Sequence, residues 1–169
     1  METNKLNMKT KKELTKIYVL PKVQFHEILK NNNITDESVE EFINIGFICI
    51  NDFSGKYYHD PLFLADHHNV LSLFFDDVEN DLDISPTNHK ETKAFTKDDA
   101  KKIINFLDDN KNINTLLIHC AAGISRSGAV GSFALSYLNG DKEHFKQTNS
   151  FIMPNARVLR LLNNEISKY

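Results

Sequence analysis

One stretch of the sequence gathers residue types that can perform nucleophilic chemistry. It runs from His119 to Gly128, reads His-Cys-Ala-Ala-Gly-Ile-Ser-Arg-Ser-Gly, and directly follows the apolar run Leu116–Ile118. This order predicts a buried strand that enters a tight loop and then opens a helix. The loop from Cys120 to Arg126 has seven residues, and its composition indicates chemistry rather than packing.

The loop has the composition of a phosphate cradle. Backbone N–H groups that converge on one point, at the positive end of a helix, form an anion site. The same field favours the thiolate form of Cys120, which is the nucleophilic form. Arg126 can grip two phosphate oxygens with its planar fork, which Lys cannot do. Gly123 permits an otherwise strained backbone angle, and Ser127 can donate a hydrogen bond to the thiolate. An ordinary buried cysteine would not account for the adjacent His119 or for an arginine that a core would reject.

These residues resemble the signature loop of the protein tyrosine phosphatase superfamily, His-Cys-x5-Arg-Ser/Thr, and the Ala-Gly-Ile-Ser-Arg-Ser run is most similar to its dual-specificity branch. The segments Phe75–Asp77 and Ile152–Asn155 are similar to further parts of that domain. The resemblance therefore extends roughly from Leu71 to Leu162. It implies hydrolysis of phosphate monoesters in proteins, phosphotyrosine first, with phosphoserine and phosphothreonine as further candidates.

The resemblance also implies a role for each loop residue. Cys120 would attack phosphorus and form a cysteinyl-phosphate intermediate, while Arg126 would hold the equatorial oxygens in the ground and transition states. His119 would position and activate the thiolate, and Ser127 would assist breakdown of the intermediate. The residues expected to surround the phosphate are Ala121, Ala122, Gly123, Ile124, Ser125 and Arg126. The family mechanism needs no metal or cofactor, and none is expected here.

A general acid must protonate the leaving group, and the family uses an aspartate on a separate loop. Asp77 is the preferred candidate because it follows the predicted strand 70–75, whose end should lie at the active edge of the sheet. Asp76 is the alternative, since adjacent residues at a strand end can point either way. Asp81 and Asp83 lie further along the same loop, where a solvated role or a helix cap is at least as good an interpretation.

Apolar strands alternate with amphipathic helices along the chain. This alternation predicts a single α/β domain with a mostly parallel sheet of about four to five strands flanked by helices. Ligands bind at the carboxyl ends of strands in such sheets. Residues 1–16 are expected to form a disordered tail and residues 17–169 the catalytic domain. Strands are predicted over 17–20, 47–50, 70–75 and 116–118, and helices over 23–30, 39–46, 96–107, 130–140, 141–147 and from 155 onward. Thr96 is expected to start one of these helices, with Asp99 in the reciprocal capping position. Asn155 is expected to start the last helix and to tie nearby loops together.

Composition narrows the function classes. The 169 residues carry a formal net charge of −3, so no basic surface typical of nucleic-acid binding is expected. No apolar run approaches the roughly 20 residues of a membrane span.

With only two cysteines, Cys49 and Cys120, a disulfide framework is excluded and a reducing cytoplasm is the expected location. Cys49 is expected to pack in the core; the alternative is a reversible disulfide with Cys120, as some relatives use. His67–His68 is interpreted as part of a polar loop rather than a metal site.

Other interpretations stay open at this point. A phosphate-binding module without turnover could use the same loop if the acid were displaced. Some relatives act on RNA 5′ phosphates, which the acidic balance disfavours. Phosphoinositide relatives commonly place Lys inside the loop, whereas here its interior has none. The expected partner is a phosphoprotein substrate, and the sequence does not indicate an oligomeric state.

Overall fold

The computed structural model describes residues 12–54, 60–80 and 92–168. Within these ranges, four parallel strands form one sheet in the order β1-β4-β2-β3. The strands are β1 (Lys16–Pro21), β2 (Ile45–Asn51), β3 (Val70–Phe74) and β4 (Thr115–Cys120). The helices are α1 (Lys22–Asn31), α2 (Lys97–Asp109), α3 (Arg126–Tyr137), α4 (Lys142–Thr148) and α5 (Ala156–Ile166). The predicted α/β fold with a parallel sheet is therefore confirmed.

The sheet is buried on both faces by two separate apolar clusters. The α3-side cluster joins one face of the sheet to α2, α3, α4 and α5, and includes Ile118, Cys120, Val130 and Leu162. The α1-side cluster joins the other face to α1 and includes Phe25, Phe47, Cys49 and Leu117. Because side chains alternate along a strand, neighbours on β4 belong to opposite clusters.

The strand register brings the chemically important chain segments to one edge of the sheet. β4 lies between β1 and β2, with Pro21 opposite Cys120 and Cys49 opposite His119. All the strands are parallel, so their carboxyl ends meet at the same edge, where ligands bind in sheets of this kind. The loop after β4 is therefore flanked by the start of α1 and by the residues that follow β2.

The outer edge of β1 is occupied by a side chain. The Asn149 Oδ1 accepts a hydrogen bond from the Val19 N–H at 2.9 Å, and its Nδ2 donates to the Ile17 carbonyl at 2.9 Å. Asn149 is buried and follows α4, which holds that helix against the strand. The amide group thus completes two backbone bonds that an edge strand leaves open.

Helix ends follow the sequence signals in two places. Thr96 and Asp99 form the predicted capping box at the start of α2. Asn155 caps α5, because its side chain accepts a hydrogen bond from the Val158 N–H at 3.0 Å. In contrast, α3 starts at Arg126 without any side-chain cap, so its first N–H groups remain available at the loop.

Two sequence predictions need correction. The helix predicted over 39–46 is only a 3₁₀ turn at Val39–Glu41, and Ile43 is 72% exposed. Val39, Phe42 and Ile43 matched a helical period by spacing alone, whereas Gly46 lies in β2 and pairs with β4. The tail boundary was also placed too late. Thr15 is buried, with its hydroxyl donating to the Ile113 carbonyl, and Lys16 already belongs to β1. Residues 1–11 lie outside the described ranges.

None of the helices in the described ranges has both the length and the apolar content needed to span a membrane.

Candidate active site

Cys120 ends β4 at the base of the loop that the sequence singled out. Its Sγ lies 3.0 Å from the Ser127 Oγ and 3.3 Å from the Gly123 backbone nitrogen, which donates to it. The residue is only 2% exposed, so the protein shields the sulfur almost completely from solvent. The sulfur is thus in contact with one backbone N–H and one hydroxyl group.

The rest of the loop is oriented by its carbonyl groups, which bond outward to neighbouring segments. The Ala121 carbonyl accepts from the Lys22 N–H, the Ile124 carbonyl from the Met153 N–H and the Ser125 carbonyl from the Asn155 N–H. The N–H groups of Ala122, Ile124 and Ser125 find no acceptor among the described residues. Unpaired N–H groups close to the sulfur are the hydrogen-bond donors that a bound oxyanion requires.

Gly123 has the backbone angle that its residue type was predicted to allow. Its φ is +69°, in the left-handed region, and a Cβ there would collide with the backbone of Leu20 and Pro21. The loop is thus packed directly on the end of β1, and any side chain at this position would push it out of shape.

Arg126 is buried beside the loop with part of its guanidinium already engaged. Its Nη1 lies 2.6 Å from the Asp52 carboxylate and donates to the Phe75 carbonyl at 2.8 Å. The Nε is buried and has no partner among the described residues. The Nη1 group of the guanidinium is therefore anchored by the protein. Its other N–H groups can bind an external acceptor. Such an orphaned donor carries a desolvation cost of about 1 to 3 kcal/mol, which a bound oxyanion would remove.

Asp52 was missed by sequence reasoning. It directly follows β2, and its carboxylate neutralises Arg126 from the side of the neighbouring strand. A polar residue after a strand at the active edge was the available signal, but the sequence alone does not reveal which strand lies next to β4.

The two adjacent aspartates after β3 are used differently. Both Asp76 oxygens accept backbone hydrogen bonds, from the Phe53 and Ser54 N–H groups and from the Lys93 N–H. Asp77 is exposed, and its Oδ1 accepts from the Ser125 hydroxyl and the Asn155 Nδ2, each at 2.8 Å. No described residue donates to the Asp77 Oδ2. Asp77 thus touches the loop and keeps one oxygen for a proton, whereas Asp76 holds its own loop together. Asp81 and Asp83 lie outside the described residues.

Asn155 links three parts of the site. Its side chain caps α5, donates to Asp77 and to the Val78 carbonyl, and its backbone N–H donates to Ser125. The sequence indicated this residue as a helix start that ties nearby loops together, and the contacts agree.

His119 is fully buried on the opposite face of the sheet from the Cys120 side chain. Its ring packs against Phe25 with 4.6 Å between ring centroids, and its Nδ1 lies 3.4 Å from the Cys120 carbonyl. Burial is the main cause that lowers the pKa of His119 to about 4. The ring is therefore neutral near pH 7. It can position the Cys120 backbone through this contact, but it contributes no positive charge to the thiolate.

The other residues considered from sequence do not join this site. Cys49 is free, fully buried and part of the α1-side cluster, whereas Cys120 belongs to the α3-side cluster. The sheet thus separates the two sulfurs, and burial raises the pKa of the Cys49 thiol far above its usual value. His67 binds the Asp36 carboxylate at 2.8 Å and Glu40 at 3.4 Å. Across 12–54, 60–80 and 92–168, no group of three or more His, Cys, Asp or Glu side chains could hold a metal ion.

Comparisons with known proteins add information at the level of structure. No protein-family model matches the chain, and no curated protein matches it. The PTP-2 phosphatase of Cydia pomonella has 18% sequence identity and a TM-score of 0.50, over 91% of this chain and 90% of that one. The crystal structure of PTPMT1 in complex with PI(5)P has 15% identity and a TM-score of 0.46, over 90% and 91% of the two chains. Tk-PTP in its active form has 14% identity and a TM-score of 0.42, over 92% and 93%.

At this level of identity the likeness concerns the fold. The chain thus has the α/β fold of the PTP-2 phosphatase over nearly its whole length.

Proposed function

We propose that this protein is a cysteine-dependent phosphatase of the dual-specificity type, which hydrolyses phosphate monoesters of proteins through a cysteinyl-phosphate intermediate. The observation that carries the proposal is the set of unpaired donors around one sulfur. Loop N–H groups and the buried Arg126 Nε lack acceptors in the described part of the chain, next to a Cys120 Sγ held by Gly123 and Ser127. A phosphoryl group would satisfy these donors and present its phosphorus to the sulfur.

The first chemical step transfers the phosphoryl group to the enzyme. The Cys120 thiolate attacks phosphorus, the S–P bond forms and the ester P–O bond breaks, with the electron pair leaving on the ester oxygen. Asp77 in its protonated form gives its proton to that oxygen, which makes it a better leaving group. Arg126 and the loop amides hold the three equatorial oxygens as their charge is redistributed.

The second step returns the enzyme to its starting state. The Asp77 carboxylate takes a proton from water, the water oxygen attacks phosphorus, and the S–P bond breaks. Inorganic phosphate leaves, and the thiolate regains its hydrogen bond from Ser127. Both steps use only groups of this chain and water.

The protein substrate is supported by the surroundings of the loop. Its interior carries no cation besides Arg126, which gives little to bind several phosphates at once. Ile124 and Met153 are exposed, 37% and 74%, and their backbones are joined by a hydrogen bond. An apolar rim beside a phosphate cradle suits an aromatic ring such as that of phosphotyrosine. Two free thiols suit a reducing cytoplasm, where we place the protein.

Turnover of p-nitrophenyl phosphate and of a phosphotyrosine peptide tests the proposal. Both should be hydrolysed by the wild type, and Cys120→Ser should abolish turnover while the fold, followed by circular dichroism, is kept. Rapid acid quenching of the wild type with ³²P-labelled peptide should trap a phosphoenzyme. Turnover that survives in Cys120→Ser would refute the nucleophile. Binding of the peptide to wild type without turnover would instead identify a phosphate-binding module.

A further inference from the structure

A cleft adjoins the loop between the end of β2 and the start of α1. It has a volume of about 170 Å³ and is lined by Lys22, Ile50, Asn51, Asp52 and Ala121. Ala121 is the residue after the nucleophile, so an occupant of this cleft would lie beside a phosphate in the loop. None of the chemical steps above places a substrate group in this cleft.

Lys22 supplies a positive charge that the described residues do not neutralise. Its Nζ donates to the Asp60 backbone carbonyl, and no carboxylate among the described residues pairs with it. Asp52 shares the cleft, but its charge is matched by Arg126 at 2.6 Å. The Lys22 charge also acts on the buried His119 ring. Burial is the main cause that lowers the pKa of His119, and the positive charge of Lys22 lowers this pKa further. The net charge of the cleft is thus positive.

The first turn of α1 adds to this positive field. The helix starts at Lys22 after Pro21, has no side-chain cap and has no acidic residue in its first turn. An uncapped helix N-terminus carries a partial positive charge and favours a nearby anion.

Asn51, which lines the cleft, adds an independent observation, because one polar atom of its side chain has no partner among the described residues. The residue is 4% exposed, lines the cleft, and its Nδ2 donates to the Leu73 carbonyl. Its Oδ1 is buried and has no donor within the described ranges. A buried acceptor left unpaired is costly, and a peptide N–H is the donor that a protein substrate would bring.

We propose that this cleft is a second substrate subsite, which reads an acidic side chain next to the phosphorylated residue through Lys22. The inference rests on the proposed function and narrows its substrate class to phosphoproteins with acidic flanking sequence. The carboxylate would pair with the Lys22 ammonium while the phosphate occupies the loop.

The test uses two phosphotyrosine peptides that differ only in whether the two residues on each side are Glu or Gln. The wild type should prefer the Glu peptide by roughly three- to fivefold in kcat/KM, the size expected for a partly exposed ion pair. Lys22→Met should remove this preference, while Lys30→Met, at the far end of the same helix, should keep it. The same comparison is made with glucose 1,6-bisphosphate and glucose 6-phosphate. The kcat/KM for each sugar phosphate is measured with the wild type and with both variants.

The outcomes separate the inference from the proposed function. If the wild type hydrolyses both peptides equally, or if Lys22→Met keeps the preference, the subsite is refuted although Cys120-dependent turnover stands. A Lys22-dependent preference for the sugar bisphosphate, without discrimination between the peptides, would overturn the acidic-peptide assignment. Absence of turnover on every substrate would refute the proposed function itself.

Discussion

The two cysteines of this chain are almost equally buried but have very different surroundings. Cys49 and Cys120 are 0% and 2% exposed and lie on neighbouring strands. Cys49 packs among apolar side chains of the α1-side cluster, where burial raises the pKa of its thiol. Cys120 ends its strand and meets the Gly123 N–H and the Ser127 hydroxyl. Donors at the strand end, and not exposure, distinguish a cysteine suited to nucleophilic chemistry from an inert one.

Alanine at each cysteine gives the largest expected contrast. Cys120→Ala should lower kcat/KM for p-nitrophenyl phosphate by at least about a thousandfold, because the attacking atom is lost. Cys49→Ala should leave turnover within about twofold and instead lower stability by roughly 1 to 2 kcal/mol through a small cavity. Initial rates and urea unfolding measure the two effects. Loss of turnover in folded Cys49→Ala would contradict the comparison.

Asp76 and Asp77 show the same contrast between a side chain that is held by the fold and one that is available for chemistry. Asp77→Asn should slow hydrolysis of phenyl phosphate by about a hundredfold, because its poor leaving group needs a proton. The loss should be much smaller for 2,4-dinitrophenyl phosphate, whose leaving group does not. Asp76→Asn should lower the melting temperature, since Asp76 accepts three backbone N–H groups, with no dependence on the leaving group. A leaving-group dependence in Asp76→Asn would move the acid role to that residue.

Asp52 extends the comparison to a residue that acts through another. Asp52→Asn keeps an oxygen near Arg126 but removes the charge that anchors Nη1. We expect kcat/KM to fall roughly tenfold and the inhibition constant of inorganic phosphate to rise, because a misplaced guanidinium binds the phosphoryl group less well. Asp98→Asn, 84% exposed at its side chain, is the control. An unchanged phosphate inhibition constant would show that Arg126 is positioned without Asp52.

The smallest effect should arise on the Cys49 side of the sheet, where His67 packs against Phe63. Its hydrogen bond to Asp36 is the main cause that raises the pKa of His67. Burial opposes ionisation of Asp36, but backbone N–H groups of Leu64 and Ala65 and the His67 ring lower the pKa of its carboxyl. The pair therefore stabilises the fold fully between about pH 4 and 6.5. The stabilisation by this pair is lost when the pH rises through the folded-state pKa of His67. It is also lost when the pH drops through the folded-state pKa of Asp36.

His67→Gln measures this contribution. The difference in melting temperature from the wild type should be roughly 1 to 3 °C at pH 6 and smaller at pH 9, as expected for a partly screened ion pair. Turnover should be unaffected. A difference that grows with pH would contradict the assigned sign.

Much of the candidate site could be proposed from sequence because its residues are close together in the chain. Cys120, Gly123 and Arg126 lie within one loop, where spacing alone indicates their geometry. Asp52 and Lys22 could not be found in this way, because their relation to the loop depends on the strand order β1-β4-β2-β3. Alternation along β4 also decides that His119 faces away from the sulfur, and residue types alone do not reveal which face each side chain takes.

The fold was predictable where periodic segments are long. The capping box at Thr96 and the helix start at Asn155 were identified from residue type and position. The helix predicted at Val39 was wrong because three apolar residues fit a helical spacing over too short a window, while long-range pairing with β4 drew Gly46 into a strand.

The side chain of Asn149 has a consequence for the behaviour of the protein at high concentration. β1 is an outermost strand, and such strands invite another chain to add itself to the sheet. With the Val19 N–H and the Ile17 carbonyl already bound to Asn149, an incoming strand would have to displace a buried amide before it could pair there. The same residue that docks α4 therefore also guards the molecule against edge-to-edge self-association.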